Sequence, residues 1–265
     1  MRKTLYKAIF IKIAGFIIKI NYIKITKAIS LLNDFITSPS RNYDFVINFQ
    51  NKLLSSFEMN YRNNSIILPH GLNMYVFQYF LRNILQNLLG KKKNGFFLHC
   101  SGVFLNDYAY LFLGPQGSGK STIRKMLNHV ALTLADDSGI IVKENNEYYF
   151  YQTPFIEKMR FKKSKTKFRI NTIFFIEKAK CCKEIKLGRK KIRDKFFKQV
   201  WTDKKQIEIQ IKILMQFNND FNQFYQLDFP KDKEVVVNWF TKFTKLPISN
   251  YEQAHPQQNN YDNLH

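Results

Sequence analysis

Cysteine is scarce in this chain of 265 residues, which carries only Cys100, Cys181 and Cys182. A disulfide framework needs more thiols, and a bond between the adjacent pair would be strained, so a disulfide scaffold is excluded. No pair of CxxC motifs exists, which removes the common structural zinc sites. The chain reads as a protein of the reducing cytoplasm. Acidic residues are also short: 20 Asp and Glu face 42 Lys and Arg, a formal net charge of +22. Long uninterrupted apolar runs are missing. Met1-Arg2-Lys3 followed by Ala8-Ile9-Phe10-Ile11 starts like a signal peptide, yet Lys12, Lys19 and Lys24 break the run and no small-residue cleavage site follows. The same lysines disqualify it as a membrane span. No internal repeat is present.

What is plentiful is apolar and aromatic: 45% hydrophobic residues, 16% aromatics and 26 phenylalanines. That supplies a substantial core and argues against global disorder. The excess of positive charge has two readings. One is an acidic partner such as nucleic acid, anionic lipid or an acidic peptide. The other is codon bias, since Lys, Asn, Ile and Phe are abundant together and an AT-rich genome produces that mixture.

The hydrophobic pattern predicts two strands between Lys7 and Ile25, broken at Ala14-Gly15, and a helix over Ala28–Ile36. Short strands, including Ser65–Leu68, precede a long apolar helix from Met74 to Leu89 that stops at Gly90. Phe96–Leu105 reads as one strand, Asn106-Asp107 as a tight turn, and Tyr108–Leu113 as the next strand. Ile123, Met126, Leu127 and Val130 form the stripe of a helix beginning near Lys120. Further strands are expected at Leu132–Ala135, Phe168–Ile176 and Tyr225–Phe229, with a hairpin about Asn145-Asn146. Helices are expected over Lys190–Trp201, Lys205–Phe217 and Glu234–Phe243. This organisation predicts a small N-terminal lobe, residues 1–70, packed on a main domain, residues 71–246, and a disordered polar tail, residues 247–265.

Gly114-Pro115-Gln116-Gly117-Ser118-Gly119-Lys120-Ser121-Thr122 satisfies G-x-x-x-x-G-K-S/T between a strand and a helix, the setting a phosphate-binding P-loop requires. Gly117 and Gly119 let successive N–H groups turn inward around phosphate oxygens. The helix start adds its dipole and unpaired N–H groups. Lys120 is placed to reach the β- and γ-phosphates, and the Ser121 hydroxyl to ligate Mg²⁺. The ligand this predicts is a nucleoside triphosphate, ATP with Mg²⁺. The same residues occur in ABC-type ATPases, but their Leu-Ser-Gly-Gly-Gln signature and distant Asp-Glu strand end are absent. Asp136-Asp137 close a short strand soon after the loop. One aspartate can ligate Mg²⁺ while the other accepts a proton from an attacking hydroxyl. The alternative is an Asp-rich turn.

Leu98-His99-Cys100-Ser101-Gly102-Val103, a hairpin, Gly114–Thr122, a helix and Ala135-Asp136-Asp137 together resemble the catalytic domain of HPr kinase/phosphorylase. That bacterial serine kinase has a fold related to ATP-dependent phosphoenolpyruvate carboxykinase. The resemblance is closest to relatives with a Leu-His-x-Ser strand before Gly-Pro-x-Gly-x-Gly-Lys-Ser-Thr, and it covers residues 95–156 most specifically. It implies an α/β fold with a mixed sheet around the P-loop and a small N-terminal α+β lobe. It implies Lys120 on phosphate, Ser121 and Asp137 on Mg²⁺, Asp136 as the base, and His99 near the phosphates. The implied activity is transfer of the γ-phosphoryl to a hydroxyl of a peptide, protein or small molecule. The family's regulatory N-terminal domain and its later signature are not recognisable. Glu157, Arg160 and Arg169 are candidates for the latter's acidic and basic groups. The basic run Lys158–Arg169 reads as either a grip for an acidic peptide or a solvated loop. Two further functions stay open. One is a non-catalytic ATP-binding module of a peptide-modification pathway, and the other a nucleic-acid-stimulated NTPase.

Overall fold

The computed structural model describes residues 6–24, 26–50, 59–60, 63–200 and 207–245. In chain order the strands are β1 Lys7–Ile13, β2 Phe16–Tyr22, β3 Ile36–Thr37, β4 Phe45–Gln50, β5 Met59–Asn60, β6 Ser65–Pro69, β7 Gly95–His99, β8 Ser101–Leu105, β9 Tyr108–Leu113, β10 Leu132–Ala135, β11 Ser138–Glu144, β12 Glu147–Tyr151, β13 Lys167–Lys178, β14 Lys183–Lys186 and β15 Phe224–Phe229. The helices are α1 Lys27–Ser30, α2 Met74–Lys92, α3 Lys120–Leu127, α4 Arg189–Phe196, α5 Ile207–Asp220 and α6 Lys233–Thr244. The protein is mixed α/β, as its patterning predicts. Among the described residues no helix is long and apolar enough to cross a membrane. The expected polar tail, 247–265, lies outside the described residues.

The chain forms two compact units. The first comprises the described residues up to Leu98, Ser138–Lys167 and residues 207–216. Residues 71–98 and 138–167, assigned to the main domain from sequence, cluster here with the N-terminal sheet. The reason is burial: α2 lays Phe77, Leu81, Ile84 and Leu85 against Ile18, Ile20, Ile47 and Leu68 of that sheet, in one core with Ile140 and Val142 of β11.

The sheet runs β3-β1-β2-β4-β6-β5. Ala14 and Gly15 both take positive φ, the geometry of the two-residue turn expected between β1 and β2. The helix expected over Ala28–Ile36 is only one turn. Thr26 caps it, and the chain then passes through a 3-10 turn, Asn33–Phe35, into β3, whose Ile36 and Thr37 pair with Ile11 and Phe10. Edge pairing here overrides helix propensity. α2 starts where the Asn73 side chain accepts the Tyr75 N–H at 2.8 Å. It continues two residues past the expected stop at Gly90, because Lys93 takes the left-handed capping conformation instead.

The second unit comprises His99–Asp137, Phe168–Val200 and the described residues from Phe217 on. Its strands run β10-β8-β9-β13-β15-β14. β8 is antiparallel to both β10 and β9, β13 is parallel to β9 and β15, and β14 is antiparallel to β15. β13 is buried from Thr172 to Ile176, the continuous apolar run that a central parallel strand needs. α3 and α6 cover one face, with Ile123, Leu127, Val236 and Phe240 packing on Phe112, Phe174 and Leu227. The other face carries Phe175, Phe196, Phe217 and Phe224, with Phe196 and Phe217 stacked at 5.3 Å. β14 was not anticipated, because all four of its residues are exposed and carry no apolar alternation.

Candidate functional site

Three connections converge at one end of the second unit's sheet. β9 ends at Leu113, whose register partner is Phe175 of the parallel β13. There the chain leaves the sheet as the loop Gly114–Gly119, while β13 continues to Lys178. β10 ends at Ala135, opposite Gly102 near the start of β8, so Asp136 and Asp137 follow beside Ser101. Phe96–Leu105, expected as one strand, is interrupted at Cys100, whose N–H donates to Asp137 O at 3.1 Å. His99 therefore closes β7 and does not lie on the strand antiparallel to β9, as its sequence position suggested; that strand is β8.

The loop's conformation requires its glycines at two positions. Gly117 has φ +80° and Gly119 φ +104°, a region that L side chains enter at a cost of about 1–2 kcal/mol. A Cβ on Gly119 would also stand 2.7 Å from Phe229 Cζ, the β15 residue beneath it. A Cβ on Gly117 would meet nothing within 4 Å. Gly114 O accepts the Lys120 ammonium at 2.7 Å and Pro115 O accepts it at 3.2 Å. Lys120, though charged, is buried. At the other end of its backbone, Lys120 O accepts the buried Ser101 hydroxyl at 2.9 Å, which pins α3 to β8. Ser118 Oγ is buried without a partner among the described residues.

The two aspartates are unlike. Asp136 Oδ1 accepts Arg124 Nε at 3.0 Å, with each side chain 2% exposed. Arg124 also donates to Thr133 Oγ1 at 3.2 Å, so α3 and β10 are tied together beneath the loop. Asp137 is 45% exposed and sits 3.3 Å from Nδ1 of His99, itself 31% exposed. Sequence reasoning missed Arg124. The signal was there: it stands one turn after Lys120, on the flank of the apolar stripe Ile123–Leu127, just ahead of an acidic strand end.

A cavity of about 680 Å³ opens beside the loop, within the size range of small-molecule sites. Its lining includes His99, Pro115 and Ser118 together with Phe175, Lys178 and Lys198. Among the described residues no three His, Cys, Asp or Glu side chains come together. A Mg²⁺ held largely by phosphates needs no such cluster, only one or two protein oxygens, and Ser121 and Asp137 are of that kind.

The remaining candidates lie in the first unit or at the sheet's other end. The Glu157 side chain is buried and pairs with Lys163 at 3.1 Å. Arg169 lies over the Tyr108 ring at 5.7 Å. The basic run is tied down: Lys163 donates to Thr153 O and Phe155 O, Lys165 to Ile36 O, and Lys167 to Glu144.

The chain matches no family model and no curated protein. Among solved structures it is similar to the Hpr(Ser) kinase/phosphatase from Coxiella burnetii, at 11% identity. The similarity covers 60% of this chain and 99% of that one, with a TM-score of 0.32. With a likeness of that degree, the function rests on the site's own residues.

Proposed function

We propose that the second unit binds a Mg²⁺–nucleoside triphosphate, ATP, and transfers its γ-phosphoryl group to a hydroxyl. The observation that carries this reading is the buried Lys120 ammonium, held against Gly114 O and Pro115 O inside a loop bent by two positive-φ glycines. A buried lysine is costly unless its charge is used, and phosphate oxygens are the partners that such a loop and helix start recognise. The unpartnered Ser118 hydroxyl beside the cavity supports the same ligand.

In this reading the loop N–H groups and Lys120 hold and neutralise the β- and γ-phosphates. Ser121 and Asp137 would hold Mg²⁺, which when bound neutralises charge developing between those phosphates. Asp136 is assigned the work of bracing α3 through Arg124. The base role expected of it passes to His99, which lines the cavity with Asp137 behind its Nδ1. A carboxylate close to one imidazole nitrogen stabilises the imidazolium formed when the other takes a proton.

A second reading has its own support. With Asp136 occupied by Arg124, only one carboxylate remains at the strand end, which suits a module that binds ATP without transferring phosphate. Incubating the protein with γ-labelled ATP and Mg²⁺, alone and with cell extract, beside a Lys120→Ala control, separates the two. Label on a discrete acceptor, lost in the control, is the outcome expected of a kinase. Lys120-dependent ATP binding with neither label nor released phosphate would overturn it in favour of the binding module.

A further inference from the structure

The cavity beside the loop is not symmetric in charge. The lining residues of the glycine-rich loop belong to the triphosphate in the reading above. The rest of the charged lining comes from two other elements: the end of β13, with Glu177 and Lys178, and the stretch from α4 into the 3-10 turn Phe197–Gln199, with Lys195 and Lys198. Among the described residues the lining holds three lysines against one carboxylate. That carboxylate is already answered, because Lys195 Nζ donates to Glu177 Oε1 at 2.8 Å and to Gln226 Oε1 at 3.1 Å. Glu177 therefore offers no uncompensated negative charge, and Lys178 and Lys198 stand as net cations at the cavity.

The triphosphate does not account for them. Its negative charge is met by Lys120, by the loop N–H groups, by the start of α3 and by Mg²⁺. The lining also carries apolar Leu113, Phe175 and Ile176, and low-dielectric surroundings focus the field of the lysines into the cavity. A neutral acceptor would gain nothing from that field, whereas a second anion would.

We propose that the phosphoryl acceptor is itself an anion: a hydroxyl compound whose carboxylate or phosphate group binds Lys178 and Lys198 while its hydroxyl faces the triphosphate. The inference rests on the kinase reading and names its acceptor class. In the step it implies, the acceptor oxygen forms a bond to the γ-phosphorus as the bond from that phosphorus to the β–γ bridging oxygen breaks. The hydroxyl proton passes to His99, and the products are a phosphate ester, ADP and one proton. The anionic group has two possible sources, an acidic residue next to a serine or threonine in a peptide, or a small hydroxy acid.

Binding tests the proposal without requiring turnover. The full chain, saturated with Mg²⁺ and a non-hydrolysable ATP analogue, is titrated with a fluorescent serine peptide flanked by aspartates, and with its asparagine-flanked counterpart. Glycerate and glycerol are titrated in parallel by calorimetry. The expected result is that at least one anionic probe binds more tightly than its neutral partner. The Lys178→Gln/Lys198→Gln double variant should then weaken it about tenfold, a loss of about 1.4 kcal/mol. The charge-matched Lys190→Gln/Lys191→Gln variant, altered at exposed positions of α4, should leave binding unchanged. Selective binding of the peptide identifies a peptide acceptor, and selective binding of glycerate a small one; either supports the proposal. It is overturned if neutral and anionic probes bind alike, or if the Lys178/Lys198 variant binds them as the parent does. Equal weakening of the ATP analogue in that variant also overturns it, by giving the lysines to the nucleotide. Failure of the kinase reading shows separately, as absence of Lys120-dependent label.

Discussion

Arg124 Nε lies 3.0 Å from Asp136 Oδ1, and neither side chain is more than 2% exposed. The pair joins the helix that begins at Lys120 to the strand that ends at Ala135. Removing one member leaves the other charge buried without its ion-pair partner, at a cost of about 3–5 kcal/mol. Asp136→Asn is therefore expected to lower the urea midpoint strongly. Replacing both members, Arg124→Met with Asp136→Leu, should recover most of that loss. A change below about 1 kcal/mol in Asp136→Asn, the range of exposed pairs, would show that the pair bears no structural weight.

The same two aspartates and His99 allow the base to be located by kinetics. If His99 takes the proton, His99→Asn should lower kcat by about 10²–10⁴-fold while ATP binding is kept. Asp136→Asn, assayed where it remains folded, should lower kcat far less. The reverse ranking in phosphoryl transfer would return the base role to Asp136.

Gly117 and Gly119 share a positive φ but differ in surroundings. Gly117→Ala is expected to cost about 1–2 kcal/mol, from backbone strain alone. Gly119→Ala should cost more, because its Cβ would stand 2.7 Å from Phe229 Cζ. Adding Phe229→Leu should relieve part of the second penalty and none of the first. Thermal melts of the four variants measure this, and equal melts for Gly117→Ala and Gly119→Ala would refute it.

Glu144 sets an acid limb on stability. Burial pushes its carboxyl upward, but hydrogen bonds from Lys167 and Tyr151 outweigh burial and hold it below its ordinary value. A depressed carboxyl contributes stability above its unfolded value, and this is lost as pH falls through the folded value. Because Lys167 and Glu144 are partly exposed, at 42% and 29%, the contribution should stay within about 1 kcal/mol. Melting temperatures taken from neutral pH down past the carboxylate range should fall less steeply in Glu144→Gln. An unchanged slope would show that other carboxylates set the limb.

The thiols should react unequally. Burial pushes the Cys182 thiol up to about 11, so little thiolate forms near neutral pH. Cys100 is buried and Cys181 exposed. A short pulse of iodoacetamide at neutral pH should modify Cys181 first, as peptide mass mapping would show. Faster modification of Cys182 would contradict that order.

Where structure depends on neighbours within a few residues, the sequence was sufficient. Asn106-Asp107 and Asn145-Asn146 both adopt the paired positive φ of tight hairpin turns, because asparagine and aspartate tolerate that region. The strand before Gly114 and the helix from Lys120 form where the residue pattern places them. Errors arose where pairing partners far along the chain intervened. The helix expected at Ala28–Ile36 gave way to an edge strand against β1. The strand expected over Phe96–Leu105 broke where Cys100 found Asp137.

The candidate site divides in the same way. Residue order alone determined the loop's glycines, the position of Lys120 at a helix start and the two acidic residues at a strand end, because each follows from local backbone geometry. Only the tertiary structure decided which aspartate is buried against Arg124 and which stands beside His99, since that depends on how β10 and β8 register. The placing of Lys178 and Lys198 at the same cavity as Ser118 was likewise invisible in one dimension. It follows from β13 running on past the point where its parallel neighbour β9 turns away, and from α4 packing where the sheet face is apolar.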